Sequence, residues 1–191
     1  MSAGLRLFCV AFLLVTMPGC GYFSLARLDK ETSQSWGELQ EKYRQRGEAI
    51  QALLVTVKGH AKKDQDVLEK VSQAREAAAG ASLDPTKLRD KDSFQKFELA
   101  QAQLSVSLNR MMQMAEKYPE LKADEKFRQL QTRLADAENE VSTARKRYVE
   151  LTGEFNLGVK KFPSSLTARY ILGLSTKENF AGAISGADKS P

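Results

Sequence analysis

Few residues of this chain could carry covalent or metal chemistry. Its 191 residues include two cysteines, Cys9 and Cys20, and a single histidine, His60. Two cysteines are too few for a disulfide scaffold or a cysteine zinc site, and one histidine excludes any site that needs two. The sequence contains neither a glycine-rich phosphate loop nor a Gly-x-Ser-x-Gly nucleophile motif. We therefore expect no catalytic residue, no bound metal and no cofactor.

Cys20 has the clearest chemical role. It follows the apolar run Leu7–Val15, which is long enough for a secretory signal and too short to cross a bilayer. Gly19-Cys20 resembles the lipobox of bacterial lipoproteins, in which the thiol is acylated, commonly with palmitate, and the chain is cut before the cysteine. We predict a lipoprotein signal peptide at residues 1–19 and a lipidated Cys20 that opens a short lead at 20–23. An ordinary cleaved signal and an uncleaved short anchor are the alternatives.

A lipid on Cys20 makes a membrane the first expected partner. Two or three acyl chains give stable attachment, whereas one chain gives only marginal binding. Such lipoproteins lie on the extracytoplasmic side of a bacterial membrane, which in a two-membrane host is the periplasmic side. Gly21 follows the cysteine where an Asp often marks retention in the inner membrane, so the outer membrane is favoured in that case.

The spacing of apolar residues predicts helices in the rest of the chain. Apolar and aromatic side chains recur at alternating steps of three and four, which places them on one face of a helix. The pattern predicts three long helices, over residues 24–79, 86–118 and 127–162, and a short helix over 164–174. Polar and apolar residues do not alternate over any useful length, so the sequence predicts no strand.

The predicted fold class is all-α. Narrow apolar stripes and short turns specify an antiparallel up-down-up bundle of three long helices, packed as in a coiled coil, with a short C-terminal helix. We place this helical bundle at residues 24–175. Residues 176–191 have few apolar side chains and are expected to form a partly disordered tail.

Polar residues interrupt or flank the apolar stripes. His60 and Asp64 lie one helical turn apart on the first stripe, so they face the same way. One interpretation is a binding groove, or an acid–base pair such as Asp64 with Glu138. The favoured interpretation is structural, with hydrogen bonds and ion pairs that fix helix register. The candidate polar network comprises Arg46, His60, Asp64, Glu138 and Arg145.

One apolar stripe is a candidate interaction surface. The first predicted helix is much longer than the second, so its early part has at most one partner helix in a three-helix bundle. If it is exposed, such a stripe marks a site of self-association or partner docking. The alternative is that the third helix or the C-terminal tail covers it. The stripe comprises Leu25, Leu28, Trp36, Leu39 and Tyr43.

The chain is basic overall, with 29 Lys and Arg against 24 Asp and Glu. Its densest basic cluster is Arg145-Lys146-Arg147 together with Lys160-Lys161. An exported lipoprotein does not meet nucleic acid, so we expect no nucleic-acid partner. Anionic lipid headgroups or envelope polymers fit the cluster, and a solvated charged face is the alternative.

Four sequence blocks resemble the LemA family, bacterial envelope proteins with an N-terminal anchor and a helical-bundle domain. The blocks are Cys20-Gly21-Tyr22; residues 43–50 with 54–59; residues 116–123 with Phe127 and Leu130; and residues 137–141 and 144–148 with Phe155-Asn156 and Lys161-Phe162-Pro163. The family has no established catalytic activity. Its members have been linked to membrane-associated proteases and, in magnetosome-forming bacteria, to membrane shaping.

The resemblance implies a helical bundle held at a membrane. We therefore expect a lipid-anchored, non-catalytic envelope scaffold or adaptor whose partner is another membrane or envelope protein, of the membrane-protease or transporter class. One alternative is direct membrane remodelling by the protein itself. Another is a hydrolase of envelope polymers that uses paired carboxylates such as Asp64 and Glu138, which requires both groups at one cleft.

Overall fold

The computed structural model describes residues 19–61 and 63–180, and in this part of the chain it contains helices and no strand. The elements are α1 (Gly19–His60), α2 (Gln65–Gly80), a 3-10 helix (Pro85–Arg89), α3 (Lys91–Ala115), α4 (Pro119–Ala123), α5 (Glu125–Lys160), α6 (Ser164–Leu166) and a π-helical turn (Thr167–Ile171). The predicted all-α class is confirmed for the described residues. The predicted signal peptide lies outside them, apart from the backbone of its last residue. None of the described helices combines the length and apolarity needed to span a bilayer.

The first predicted helix is two helices in the structure, which corrects the continuous helix expected over 24–79. α1 ends at His60, and α2 begins at Gln65. Trp36 Nε1 donates a hydrogen bond to the Leu83 carbonyl oxygen at 2.9 Å, so α2 runs back along α1. The break coincides with His60 and Asp64, two polar positions of the stripe.

The observed bundle therefore has four main helices, α1, α2, α3 and α5, instead of three. Trp36 contacts Phe97 near the start of α3, whereas Asp64, beyond the end of α1, bonds Tyr118 beyond the end of α3. α1 and α3 are thus parallel. α5 is antiparallel to α1, because Glu38 pairs with Arg147 and the later Lys42 pairs with the earlier Glu140. The direction of the chain alternates up-down-up-down.

Aspartates start three of the elements that follow α2, namely the 3-10 helix, α3 and α5. Asp84 accepts a hydrogen bond from the Thr86 backbone N–H, Asp90 from that of Asp92, and Asp124 from those of Lys126 and Phe127. A side-chain acceptor at this position satisfies an N–H that has no partner within the helix. The sequence Asp84-Pro85 thus starts the 3-10 helix, and α3 begins at Lys91, five residues later than the helix predicted from residue 86.

Two clusters of buried side chains form the core. The cluster near the C-terminal end of α1, which we call the upper cluster, joins Ile50, Leu53 and Val57 to side chains of α2, α3 and α5. It includes Met111 and Met114. The lower cluster is aromatic and surrounds Trp36, which is fully buried. Its rings come from three helices and from the C-terminal segment: Phe94, Phe97, Tyr148 and Phe180 each have a ring centroid within 6.4 Å of that of Trp36.

The candidate interaction stripe is inside this core, which corrects its interpretation as an exposed surface. Leu25, Trp36 and Leu39 are buried, and Leu28 and Tyr43 are half-buried. Leu25 packs so closely on α5 that a Cβ built on Gly158 would lie 2.9 Å from Leu25 Cδ2. The third predicted helix and the C-terminal segment cover the stripe, as the alternative interpretation held.

The predicted C-terminal tail is ordered over its first residues. Lys177 and Phe180 are buried, with 4% and 3% of their surfaces exposed. The expectation of disorder is therefore wrong for residues 176–180, and the rest of the tail, 181–191, lies outside the described residues. The prediction failed because it counted apolar residues and did not anticipate that polar side chains would bind this segment.

Val57→Ala is expected to lower the free energy of unfolding by roughly 1–3 kcal/mol, because it leaves a cavity in the upper cluster. Val55→Ala is the matched control, since Val55 lies two residues away with 60% of its surface exposed and should change stability by less than about 0.5 kcal/mol. Urea unfolding measures both values. Equal losses in the two variants would contradict the assignment of helix faces.

Candidate functional site

The predicted polar network is divided among separate places in the structure. α1 directs Arg46 toward α5, where Nη1 lies 3.5 Å from Glu138 Oε2 and the guanidinium lies 5.6 Å from the Tyr43 ring centroid. Only 4% of the Arg46 side chain is exposed. A buried charge is costly unless it is paired, so Glu138 and the ring are what make this position tolerable for an arginine.

Arg145 lies on α5 near this pair. Its guanidinium carbon is 3.9 Å from the centroid of the Phe180 ring, and its Nη2 is 3.8 Å from Glu98 Oε1. With Arg46 and Glu138 it lines a cavity of about 250 Å³ between α1, α3 and α5. Among the described residues, Nε and Nη2 of Arg46 have no hydrogen-bond partner. The arrangement joins helices through charge, as the structural interpretation of the network predicted.

His60 and Asp64 do not form the predicted pair. His60 is exposed at the end of α1, and its Nδ1 lies 3.1 Å from the Thr56 carbonyl oxygen. Asp64 accepts the hydroxyl hydrogen bond of Tyr118, which raises the pKa of Tyr118. No group of three metal-ligating side chains occurs in the part of the chain that the structure describes.

Asp64 and Glu138 are too far apart to act on one bond. Asp64 lies in the turn after α1, whereas Glu138 lies beside Arg46, about 20 Å of helix before that turn. Paired carboxylates that hydrolyse glycosidic bonds are separated by roughly 5–9.5 Å. The geometry does not assemble the acid–base pair on which the hydrolase alternative rested.

No pattern in the sequence predicts a buried lysine in the C-terminal segment. Lys177 has only 2% of its side chain exposed. Its Nζ lies 2.9 Å from the Asp29 carboxylate, 2.9 Å from the Asp29 carbonyl oxygen and 3.0 Å from Ser33 Oγ. Burial lowers the pKa of Lys177, while the contacts with Asp29 oppose that shift. A charge held this way ties the segment to α1.

Side chains of α5 bind the backbone around Lys177. Asn156 accepts from the Lys177 N–H at 2.9 Å and donates to the Lys177 carbonyl oxygen at 2.8 Å. The Tyr148 hydroxyl donates to the Glu178 carbonyl oxygen at 2.8 Å. Because burial raises the pKa of Tyr148, its hydroxyl keeps this proton. We call residues 175–180 the C-terminal strap.

A groove runs along the other side of α1. It has a volume of about 570 Å³ and lies between α1, α2 and α3. Gly37, Gly47, Ala78, Ala79 and Ser82 give it a floor of short side chains, with Phe97 and Leu104 beneath. The two glycines lie ten residues apart, close to three helical turns, so they open the same face of α1. No single motif in the sequence marks this groove, because α2 contributes one of its walls only after reversing direction.

The rim of the groove carries both signs of charge. Arg44 donates to Glu41 through Nε at 2.8 Å and through Nη2 at 2.6 Å, and it also bonds Glu48. The hydrogen bond from Arg44 lowers the pKa of Glu41 to about 2, so this rim remains ionised at neutral pH. On the opposite wall, Arg75 Nε is buried and has no hydrogen-bond partner among the described residues.

A model of the LemA family matches residues 35–191, most of the chain. The chain belongs to the LemA family. No individually curated protein matches it. The sequence blocks that carried the resemblance now have structural roles, because Tyr148 and Asn156 of the third predicted helix bind the C-terminal strap. In this LemA protein those two motif residues hold the C-terminal strap against α5.

Asn156→Ala should release the strap, since it removes two hydrogen bonds to the Lys177 backbone and uncovers the aromatic cluster. We expect a loss of roughly 2–3 kcal/mol in the free energy of unfolding, about 1 kcal/mol for each bond plus lost packing. Asn139→Ala is the matched control, because Asn139 lies on α5 with an exposed side chain. Urea unfolding followed by Trp36 fluorescence reports both; equal small losses would contradict the role assigned to Asn156.

Proposed function

We propose that this LemA-family protein is a lipid-anchored, non-catalytic scaffold of the bacterial envelope that binds a segment of another envelope protein. The observation that carries the proposal is the groove between α1, α2 and α3. Its floor of short side chains admits an incoming helix or extended segment, and its rim offers charges of both signs. A membrane protease or transporter is the expected class of partner, and the protein would lie on the extracytoplasmic side of its membrane.

The groove supports peptide binding through specific groups. Arg75 lines the groove with 28% of its side chain exposed, so its guanidinium can donate to a partner's carbonyl or carboxylate oxygen, and a hydrogen bond to a charged group contributes about 1.5–3 kcal/mol. Glu41, Arg44 and Glu48 form a charged rim that can select a partner of complementary pattern. The half-buried ring of Tyr43, which lines the groove, supplies area for a partner's apolar side chain. A groove with this mixture fits recognition of a protein segment.

Lipid attachment at Cys20 supplies the location in this proposal. The α1 backbone is already helical at Gly19 and continues without a break past the groove. Residues 20–47 of a helix span about 40 Å. An acylated Cys20 would therefore hold the groove at a fixed height above the bilayer, because no flexible linker intervenes within the described part of α1.

Gly47→Leu tests the groove. A Cβ at Gly47 meets no atom within 4 Å, so the leucine enters the groove without a clash. Replacing Gly in a helix raises stability by up to about 1 kcal/mol. We expect a stable protein that loses its crosslinked envelope partner in mild crosslinking followed by mass spectrometry.

Gly59→Leu is the control for this experiment. Gly59 is also in α1 with open space around its Cβ position, but it does not line the groove. The Gly59→Leu protein should retain the crosslinked envelope partner. Retention of the same partner by Gly47→Leu, or the absence of any envelope protein in the wild-type sample, would refute the groove as the docking site.

Cys20→Ser tests the anchor. The serine lacks the thiol to which the lipobox lipid is attached, so the precursor should keep residues 1–19 and fail to incorporate radiolabelled palmitate. Mass spectrometry of the N-terminus and palmitate labelling measure the two effects. A Cys20→Ser protein that is cut at the same place and retains label would show that Cys20 is not the site of attachment.

A further inference from the structure

Exposed apolar side chains are concentrated at one end of the bundle. In the part of the chain that the structure describes, ten large apolar side chains are exposed, and seven of them belong to two short stretches, residues 22–27 and 157–171. We call these seven the end cap: Tyr22, Phe23, Leu157, Phe162, Leu166, Tyr170 and Ile171. The other three, Val55, Leu99 and Val106, lie farther along the bundle and provide controls.

The two stretches meet at the start of α1. Leu25 packs against Gly158 with no room for a side chain there. The Ser164 hydroxyl donates to the Gly158 carbonyl oxygen at 2.7 Å, which folds the turns after α5 back over its end. The turns α6 and Thr167–Ile171 also contact α1. The end cap is therefore one continuous surface instead of scattered apolar residues.

The charged residues within the two stretches are all basic, and one of them, Arg27, pairs with Glu31 one turn farther along α1 at 3.6 Å. Residues 22–27 and 157–171 include Arg27, Lys160, Lys161 and Arg169 and contain no Asp or Glu. These four basic side chains are exposed. Elsewhere the surface mixes both signs, as in the Glu41–Arg44–Glu48 rim. Exposed aromatic and aliphatic groups surrounded by basic residues are the composition that binds the interface of an anionic bilayer.

The large exposed fractions of three aromatic side chains in the end cap fit insertion among lipid headgroups better than packing against another part of the protein. Phe23, Phe162 and Tyr170 have 75%, 74% and 75% of their surfaces exposed, so their rings project from the end of the bundle. Aromatic rings of this kind are favoured at the level of lipid headgroups, where an apolar body meets a wet polar edge. The α1 residues of the end cap directly follow Cys20, which places this end next to any lipid on that cysteine.

We infer that the end cap binds an anionic phospholipid bilayer directly, with Phe23, Phe162 and Tyr170 inserted at the interface and Lys160, Lys161 and Arg169 against the headgroups. The contact is additional to any acyl chain. It would hold the bundle by this end, so that the docking groove, which lies farther along α1, is held at a distance from the membrane. It does not depend on the groove, so a failure of the partner experiment leaves it standing.

The first experiment uses a chain that begins at Gly21 and has no lipid. All the buried side chains of the described part lie between Leu25 and Phe180, so this chain retains the whole core. We expect it to sediment with vesicles of phosphatidylglycerol and phosphatidylcholine and not with pure phosphatidylcholine vesicles. Lys160→Gln with Lys161→Gln should weaken binding by more than about tenfold, since each basic side chain near an anionic surface contributes about fivefold.

Apolar substitutions separate insertion from simple charge attraction. Phe23→Ser with Phe162→Ser should also abolish sedimentation, whereas Val55→Ser with Leu99→Ser should leave it unchanged. Because all four side chains are exposed, urea unfolding should be similar in the two double variants. Binding that is insensitive to Phe23→Ser and Phe162→Ser, or no binding to either kind of vesicle, would overturn the inference.

The second experiment uses the full lipidated chain. Phe162→Trp, reconstituted in vesicles that contain brominated phospholipid, should lose fluorescence, and Leu99→Trp should not. Native Trp36 is a constant background, because it is fully buried about 20 Å of helix from Phe23. Equal emission in brominated and ordinary lipid would overturn the inference. A dimer that Phe162→Ser dissociates, without vesicle binding, would assign the end cap to a second copy of the chain and would also overturn it.

Discussion

The lower half of the bundle depends on one buried charge. The ammonium group of Lys177 lies where little solvent reaches it, and Asp29 and Ser33 of α1 surround it with oxygens. Removing the Asp29 carboxylate would leave the buried Lys177 ammonium group without its counter-charge, which is far more costly than losing a surface ion pair. The segment must therefore cross the seam between α1 and α5 at this position. That crossing carries Phe180 against Trp36 and closes the aromatic cluster.

Different parts of the bundle have different structural roles. The lower cluster and the strap fix the ends of α1 and α5, and the glycine at Gly158 lets the two helices approach each other there. The groove is formed higher up, where α2 returns along α1 and presents Ala78 and Ala79 instead of larger side chains. The end cap lies below both. A rigid α1 connects these surfaces, so a membrane contact at one end sets the position of the groove.

The apolar pattern of the sequence does not reveal the turn between α1 and α2, which is why one continuous helix was predicted over residues 24–79. Steps of three and four continue across residues 57–67, so the periodicity alone gives no sign of a turn. Yet His60 and Asp64 occupy two of those steps, and neither supplies apolar area. Antiparallel return of α2 buries Val71 and Ala78, whereas a straight continuation would leave them in water. Burial of apolar surface selects the hairpin, and periodicity cannot distinguish the two.

The sequence by itself determined the helical class, the main core positions and the family. The spacing of apolar residues along the chain determines which face of each helix is apolar. The family's sequence blocks are recognisable because they occur in order along the chain. Tertiary structure alone decided the four-helix path, the burial of the Trp36 stripe and the strap. It also decided the groove and the end cap, because each unites residues from distant segments. The Lys177–Asp29 pair joins residues 148 positions apart, and no local pattern records a partner at that separation.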